Sequence, residues 1–548
     1  MTTHALLIAG LLLAGNIAAT AQTRVFTRED TLRGSVTPER AWWDVTYYRL
    51  SIETDLDSQR IRGSNEIHYR ILKPGQVMQI DLQPPLTLER AEQDGEALTF
   101  ERMTKSVYHV KLKKPQTPGT IQSVTLWYRG RPRRARNAPW DGGFSWDRDS
   151  LGRSFVATSC QGLGASAWWP CKDHPTEEPD SQTVILTVPM PYHAVSNGRL
   201  RQVKQNDNGS RTFEWHVQNP INNYGVTLNV AVYEHFADTF QGEKGLLTLD
   251  YYVLPQNLAK AKTQFQQVKA MLRAFEYWFG PYPFYEDGYK LVETPFLGME
   301  HQSAIAYGNN YRNGYLGRDL SGSGHGKGWD YIIIHESGHE WFANNITYND
   351  IADMWVHEGF TSYSEGLFVE YFYGKQAAAE YLRGLRRSIS NNSPVIGPYG
   401  VNTRGSQDMY SKGANLLHTL RQIVDNDSLW RAVLRGLNRD FYHQTVSSAQ
   451  VEAYISQHTG KNLEKVFDQY LRHTSIPVLE CRIEKKQITY RWASCIPGFD
   501  MPVKVSLTPG RWTFLYPTTE WKTMPARRLK PADFQVDENF YIHVDRVR

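Results

Sequence analysis

The stretch DYIIIHESGHEWFANNITYNDIADMWVHEGF, from Asp330 to Phe360, places two histidines four residues apart within an apolar run. Residues four apart on an α-helix differ by roughly 40° of rotation and ~6 Å of rise, so His335 and His339 project side by side and can hold one cation. Glu336 is rotated by about 100° from His335, which leaves its carboxylate off the metal but close enough to take a proton from a metal-activated water. The H-E-x-x-H pattern therefore predicts a metal site on a helix. The alternative is a pair of histidines packed on a buried helix.

A catalytic zinc also needs a third protein ligand and an open position. Phe342 and Asn345 stand where a metzincin would have glycine and histidine, which excludes that class. Glu358 follows His339 after eighteen residues, enough for the first helix to end near Asn345 and for a second helix to face it. His357 is a competing ligand, but helix geometry turns it about 100° away from Glu358. Glu358 is therefore the predicted third ligand.

The composition of the whole chain excludes some classes of protein. Its 548 residues are 41% hydrophobic and 13% aromatic, enough for several domains with their own cores. The net charge of +4 arises from 61 basic and 57 acidic residues, so no overall charge favours a nucleic acid or a membrane surface as partner.

The N-terminus resembles an export signal. An apolar run from Ala5 to about Ala19 precedes Ala19-Thr20-Ala21, the small-x-small pattern of a signal-peptidase site. The run is shorter than the ~20 residues that a membrane-spanning helix needs. Residues 1–21 are therefore predicted to be a signal peptide, and the protein to be periplasmic or extracellular with no transmembrane segment in the mature chain.

The four cysteines fall into two local pairs, Cys160 with Cys171 and Cys481 with Cys495. In an exported protein each pair is a candidate disulfide. Neither spacing is C-x2-C, which disfavours a zinc knot.

Hydrophobic periodicity predicts a multidomain α+β protein. Alternation such as Tyr48, Leu50 and Ile52 indicates an antiparallel β domain over residues 22–242. Three- and four-residue steps from Leu258 to Phe279 predict a helix of about six turns, and a mainly helical domain over residues 243–474. Alternation returns over residues 475–548, which predicts a small C-terminal β module.

The spacing of the H-E-x-x-H motif and Glu358 resembles that of the zinc aminopeptidase family that contains aminopeptidase N and leukotriene hydrolase. This resemblance implies a thermolysin-like catalytic domain, one zinc ion per chain, and hydrolysis of the N-terminal peptide bond of peptides with a free N-terminus. Thermolysin-like endopeptidases have a similar two-helix site, so two further motifs separate the classes. Residues 475–548 are too few for the helical domain of larger members, so the resemblance implies the chemistry and not the substrate range.

The segment LGMEHQSAIAYG resembles the family's G-x-M-E-N signature, with Gly298, Met299 and Glu300 at the matching positions. The resemblance implies that Glu300 binds the substrate's α-ammonium group. A carboxylate one residue length from the metal would select a free N-terminus. His301 replaces the asparagine that the family usually has.

Two other segments add candidate residues. DMYSKGANLL resembles the family's Y-x-K-G motif, which implies that Tyr410 donates to the oxyanion formed during attack. CQGLGASAWWPC is similar to the segment that lines the family's first specificity pocket, which makes Gln161 a candidate substrate contact.

Alternative functions remain open at this point. The same residues would serve a zinc endopeptidase, a hydrolase of a non-peptide bond, or an inactive binding protein. The basic segment RGRPRRAR, residues 129–136, is interpreted as a solvated connection rather than a polyanion site. The sequence does not indicate an oligomeric state.

Overall fold

The computed structural model describes residues 25–484, 487–526, 529 and 533–547. The predicted signal peptide, residues 1–21, lies outside the described residues. The predicted α+β class is confirmed, with a β-rich N-terminal part, a helical central part and C-terminal strands.

The N-terminal part is built on an eight-stranded sheet that follows a short helix, Arg28–Gly34. Tyr48, Leu50 and Ile52 face the core from one strand, as their alternation predicts. In spatial order the strands are Arg199–Gln205, Ser210–Val217, Ser181–Pro189, Trp43–Asp55, Arg60–Ile71, Ile121–Gly130, Thr87–Gln93 and Glu96–Ala97. Neighbouring strands are antiparallel except Trp43–Asp55 and Ser181–Pro189, which run parallel.

Two smaller sheets complete this part. The four-stranded sheet contains His193–Val195, Asn229–Ala231, Ser154–Ser159 and Gly143–Arg148, and the three-stranded sheet contains Val77–Asp81, Val107–Lys111 and Thr99–Arg102. The aromatic loop region between residues 137 and 180 is packed: Trp168 and Trp169 are fully buried in the same core as the large sheet. In the basic segment, Arg133 and Arg134 bind backbone carbonyl groups of Asp141 and Trp146.

A five-stranded sheet leads into the central part. Its strands in spatial order are Glu234–Gly242, Gly245–Val253, Tyr289–Glu293, Ile305–Tyr307 and Gly298–Met299. The domain boundary expected after Gly242 falls in the turn of the first hairpin, so this sheet begins before it. Gly298–Met299 is the edge strand, and one side of its backbone is unpaired within the sheet.

The central part is mainly helical. The expected six-turn helix is instead two helices, Leu258–Gln264 and Gln267–Phe279, because Phe265 and Gln266 close a tighter turn that directs the Phe265 ring between Tyr251 and Tyr307. The other α-helices are Tyr331–Gly338, Trp355–Tyr373, Lys375–Leu385, Ser411–Val424, Asp427–Asp440, Ser448–Thr459 and Glu464–Arg472. A short parallel pair, Ile346–Tyr348 with Gln444–Val446, lies among them.

The C-terminal strands form two small sheets that share the hydrophobic core of the helical part. One contains Lys522–Pro525, Gln487–Ala493, Val478–Ile483 and His543–Arg546, and the other contains Arg511–Leu515, Val503–Thr508 and Gln535–Val536. Within the described part of the chain, no helix combines the length and apolarity needed to cross a bilayer.

Neither candidate disulfide is formed in this structure, in which all four cysteines are free thiols. Cys481 pairs in register with Tyr490, three residues or ~10 Å along the strand before Ala493, and Cys495 lies beyond that end. A disulfide allows at most ~7 Å between α-carbons. Cys160 and Cys171 are buried in the aromatic core of the N-terminal part.

Candidate active site

The first two predicted metal ligands lie at the end of a short buried helix, Tyr331–Gly338. Asp330 caps its N-terminus by accepting hydrogen bonds from the backbone of Ile332 and Ile333. His335 lies in the last turn, and His339 is the residue that ends the helix. Their imidazole centroids are 5.0 Å apart, as expected for a pair four residues apart on one helical face.

The chain bends sharply after His339, and this bend brings the third ligand back. The α-helix ends at Gly338, earlier than expected, and continues to Asn345 as wider turns in which Phe342 and Ala343 leave the helical conformation. The strand Ile346–Tyr348 follows, and the helix Trp355–Tyr373 then begins with Glu358 in its first turn.

The three side chains form a compact donor set. Glu358 Oε2 lies 3.3 Å from His339 Nε2 and 3.8 Å from His335 Nε2, and one ligand atom from each residue lies within 4.8 Å of the others. Ligand atoms around a tetrahedral zinc are roughly 3.4 Å apart, so these separations fit such an ion. Glu358 Oε2 is buried and accepts no hydrogen bond from the described residues, which leaves it available to a metal. Two imidazoles and a carboxylate are a zinc donor set, and zinc fits this site.

The outer nitrogens of both histidines are held by other groups. His335 Nδ1 lies 2.7 Å from Glu365 Oε1, and Tyr381 donates to the other oxygen of Glu365 at 2.6 Å. His339 Nδ1 lies 3.1 Å from the carbonyl oxygen of Phe342 and 3.0 Å from the Thr361 hydroxyl. These contacts orient both Nε2 atoms towards Glu358.

Glu365 was not anticipated from the sequence. It lies two helical turns after Glu358 and on the same face, so its spacing was the available signal. That signal is weak, because the pattern does not show which histidine such a carboxylate would reach.

His357, the competing ligand, points away from this centre. Its Nε2 accepts a hydrogen bond from the Tyr348 backbone at 2.9 Å, and its ring stacks on Tyr348 with centroids 4.1 Å apart. Burial lowers the pKa of His357 well below its usual value. The residue therefore serves as a neutral, packed acceptor.

The electrostatics of the site favour positive charge at its centre. Burial opposes a charge on His339, yet Glu358 and Glu300 raise its pKa to about 10. Burial likewise opposes ionisation of Glu358, yet His339 and then His335 lower its pKa to about 2. A cation between these groups would satisfy both.

Glu300 lies beside the metal site and is tied to it by one amide. Gln161 Nε2 lies 2.6 Å from Glu300 Oε1 and 2.8 Å from Glu358 Oε1. Tyr224 donates to the same Glu300 oxygen at 3.2 Å. The backbone oxygen of Glu300 accepts from Asn344 Nδ2 at 2.9 Å, which links this loop to the bend after the motif helix. Sequence reasoning missed Tyr224 and Asn344, which come close only through the fold.

His301 does not join Glu300 in the cavity. It is 1% exposed, and neither ring nitrogen has a hydrogen-bond partner among the described residues. Burial lowers its pKa to about 3, so it is a neutral packed side chain.

Gly298 allows the edge strand to approach Glu336. A β-carbon added at Gly298 would lie 2.9 Å from Glu336 Oε1 and 2.8 Å from Ile332 Cγ2. Any larger residue would displace the carboxylate or the strand. Met299, the next residue, lines the same cavity.

Tyr410 meets the metal site from a third segment. Its hydroxyl donates to Glu358 Oε1 at 3.0 Å. The helix Ser411–Val424 that follows it contacts the Glu358 helix through two glycines, since a β-carbon on Gly413 would lie 2.8 Å from Gly359 Cα. The glycines of the two motifs therefore set the distance between Tyr410 and Glu358.

These side chains line one cavity of about 240 Å³. Its walls come from both parts of the protein, with Trp140 and Gln161 from the N-terminal part. The sequence-derived candidates among its lining residues are Gln161, Gly298, Met299, Glu300, His335, Glu336, His339, Glu358 and Tyr410.

Comparison with known proteins assigns a family to this fold. Residues 263–470 match the family described as Peptidase family M1 domain, and residues 45–224 match the Peptidase M1 N-terminal domain. The chain belongs to peptidase family M1. The two matched regions together cover more than half of it, and the resemblance found in its motifs is confirmed.

Individual relatives are distant. The chain is 22% identical to mouse endoplasmic reticulum aminopeptidase 1 over 73% of its own length and 44% of the relative's. It is 21% identical to a leucyl aminopeptidase of Saccharolobus solfataricus, over 61% and 43% of the two chains. This M1 chain thus spans about half the length, or less, of the curated relatives it matches.

A solved structure shares the fold over most of the chain. A mutant M1 zinc metallopeptidase of Deinococcus radiodurans bound to a Tyr-Ser-Ala substrate superposes with a TM-score of 0.67 at 21% identity, covering 81% of this chain and 98% of the other.

The contact between Glu365 and His335 predicts an effect on zinc affinity. Glu365→Ala should weaken zinc binding about 10- to 100-fold, because the imidazole loses the group that orients it. Competition with a chelator measures the affinity. Tyr381→Phe removes only the hydroxyl that donates to Glu365, so it should cause a smaller loss of zinc affinity. Unchanged affinity in Glu365→Ala would contradict this role.

The close contact between Gly413 and Gly359 predicts an effect on the rate of peptide hydrolysis. Gly413→Ala should separate the helices that carry Tyr410 and Glu358 and lower peptide hydrolysis by about 10- to 100-fold, since small displacements of reacting groups are costly. Gly436→Ala is the matched control, because its added carbon would meet a single tyrosine hydroxyl in a helix remote from the cavity. Equal activities of the two variants would rule out the spacing role.

Proposed function

We propose that the protein is a zinc-dependent aminopeptidase that hydrolyses the N-terminal peptide bond of peptides. One observation carries the proposal: the Gln161 amide contacts both Glu300 and Glu358, at 2.6 and 2.8 Å. The carboxylate for a substrate ammonium group and the carboxylate for the metal are thus neighbours. Only the first peptide bond of a chain can lie at the metal when its N-terminus is held at Glu300.

Each remaining residue has a role that fits its surroundings. Zinc, when bound, would activate water and polarise the scissile carbonyl. Glu336 accepts the proton of the attacking water on its carboxylate and passes it to the leaving nitrogen. Burial raises the pKa of Glu336 to about 7, which suits a group that both takes and returns a proton. The Tyr410 hydroxyl donates a hydrogen bond to the developing oxyanion.

The relatives support the same activity. The curated proteins that match this chain include aminopeptidases of animals and archaea, and the family is a peptidase family. An endopeptidase would need the groove to continue past Glu300. At Glu300, Gln161 and Tyr224 both contact the carboxylate, which favours a site that holds one end of a substrate there.

We also propose that the protein is exported to the periplasm or the extracellular space. The apolar run and Ala19-Thr20-Ala21 support this proposal. N-terminal sequencing of the protein isolated from its host would test it, with Gln22 as the expected first residue.

Removing the proton acceptor tests the mechanism. Glu336→Gln keeps the size of the side chain but cannot accept the proton, so kcat should fall by about 100- to 10,000-fold while zinc stays bound. Rates on an alanyl-peptide substrate and zinc content by atomic absorption provide the measurement. Full activity of this variant would exclude the mechanism.

Blocking the substrate ammonium group tests the exopeptidase character. N-acetylation of a dipeptide amide should lower its hydrolysis at least about 100-fold, because the buried Glu300 would lose its partner charge. In Glu300→Ala the two substrates should differ much less. Equal rates on the wild-type enzyme would point to an endopeptidase instead.

A further inference from the structure

Arg404 supplies a positive charge to a cavity that is otherwise rich in carboxylates. Glu300, Glu336 and Glu358 all line the cavity. Among the lining residues that the structure describes, Arg404 is the one lysine or arginine. None of the roles proposed above uses it.

The guanidinium of Arg404 has no ion pair or hydrogen bond with the described protein. Arg404 is half-buried, and two buried arginines of the chain do have such partners. Arg40 binds Asp81 at 2.6 Å, and Arg421 binds both oxygens of Glu370. Arg404 therefore keeps its five donors available for a group that enters the cavity.

The backbone that carries Arg404 is fixed by close contacts. A β-carbon added at the adjacent Gly405 would lie 1.8 Å from the Val395 carbonyl oxygen, so the backbone at Gly405 is in direct contact with the backbone at Val395. Ser406 N donates to Pro394 O at 3.0 Å, and Gly397 N donates to Ala352 O at 3.0 Å. The arginine is thus presented from a preorganised loop.

Arg404 lies towards the end of the cavity where Glu300 is found. Arg404 precedes Tyr410 by six residues and lines the same cavity. Tyr410 donates to Glu358 Oε1, the oxygen that Gln161 also contacts, and Gln161 in turn contacts Glu300. The segment that carries Arg404 and Tyr410 therefore meets Glu358 on its Glu300 side. Tyr331 and Tyr315, whose ring centroids are 5.4 Å apart, line the cavity at the helix that carries Glu336.

This location decides which substrate group the arginine meets. With the ammonium group at Glu300 and the scissile carbonyl at the metal, the side chain of the first residue projects from the atom between them. The C-terminal carboxylate of a peptide lies beyond the scissile bond, on the far side of the metal from Glu300. An anionic group on the Glu300 side of Glu358, where Tyr410 and Gln161 lie, is therefore the first side chain.

We propose that Arg404 binds the side-chain carboxylate of an N-terminal glutamate or aspartate and makes the enzyme selective for peptides that begin with an acidic residue. This selectivity rests on the aminopeptidase function proposed above. Arg404 also offsets the repulsion that three cavity carboxylates would exert on such a side chain.

Kinetics with isosteric substrates provide the test. The zinc-loaded wild-type enzyme should have a kcat/KM for a glutamyl anilide about 10- to 100-fold above that for the glutaminyl anilide, the range of a charge-assisted hydrogen bond. Arg404→Gln should bring this ratio close to one. Arg404→Glu should instead favour a lysyl anilide. Arg273→Gln, which removes an exposed arginine from a helix outside the cavity, should keep the wild-type ratio.

Binding without turnover gives an independent readout. Calorimetry on the zinc-loaded Glu336→Gln protein should show tighter binding of L-glutamate than of L-glutamine, and the added variant Arg404→Gln should remove the difference.

Three results would overturn the proposal. The first is a wild-type enzyme without preference for glutamyl over glutaminyl substrates, which needs no variant to fold. The second is an Arg404→Gln enzyme that keeps the preference. The third is an Arg404→Gln enzyme that discriminates less than the wild type between a dipeptide and its C-terminal amide, while its ratio of kcat/KM for glutamyl over glutaminyl anilide is unchanged. That result would show that Arg404 binds the C-terminal carboxylate. Absence of alanyl-peptide cleavage by the wild-type enzyme would instead refute the aminopeptidase function itself.

Discussion

Three carboxylates are buried around one cavity, and their mutual repulsion is the constraint on which the rest of the site depends. Glu300, Glu336 and Glu358 are each at most 8% exposed. Isolated buried carboxylates would take up protons rather than remain charged. Two of them are tied to compensating groups, imidazoles at Glu358 and amide and hydroxyl donors at Glu300. The third, Glu336, has its pKa raised to about 7 by burial. A divalent cation at the histidines and an ammonium group at Glu300 are the charges that this arrangement attracts.

The bend after His339 is what makes a single helix motif into a three-ligand site. A regular helix would have carried the chain away from His335, whereas the bend directs it into the strand Ile346–Tyr348 and then into the helix that carries Glu358. The same bend places Asn344 where it donates to the Glu300 carbonyl and to Glu340. The predicted metal ligand His339 and the loop that carries Glu300 are thus both oriented by one distortion of the backbone. A displacement of the bend after His339 would therefore also displace the Glu300 loop, and the reverse.

Local patterns were sufficient to predict that His335, His339 and Glu358 lie together. Helix geometry orients residues at spacings of one and four, and the eighteen-residue gap leaves room for a second helix to carry Glu358. Local patterns predicted the strand alternation around Tyr48 and the return to strands after residue 474 equally well. They failed where tertiary contacts override periodicity. Phe265 continues the helical pattern but is drawn into a cluster with Tyr251 and Tyr307, so the predicted helix divides there. Tyr224 and Arg404 acquire their positions only when distant segments meet, and no spacing in the sequence encodes this. The spacing of Glu365 from Glu358 places both on one helical face, but it does not show which histidine Glu365 reaches.

The two parts of the protein have separate hydrophobic cores, yet the cavity requires both. Gln161 comes from the aromatic loop region of the N-terminal part and is the only described side chain that donates to both Glu300 and Glu358. Its amide nitrogen holds two carboxylates together that would otherwise repel each other, and a glutamate at that position would add a fourth negative charge. A neutral amide there leaves the charge of Glu300 for the ammonium group that we propose it binds, and Arg404 is the one lysine or arginine among the described lining residues. The proposed selectivity for the first residue therefore depends on the balance of charge across the boundary between the two parts, and not on the catalytic helices alone.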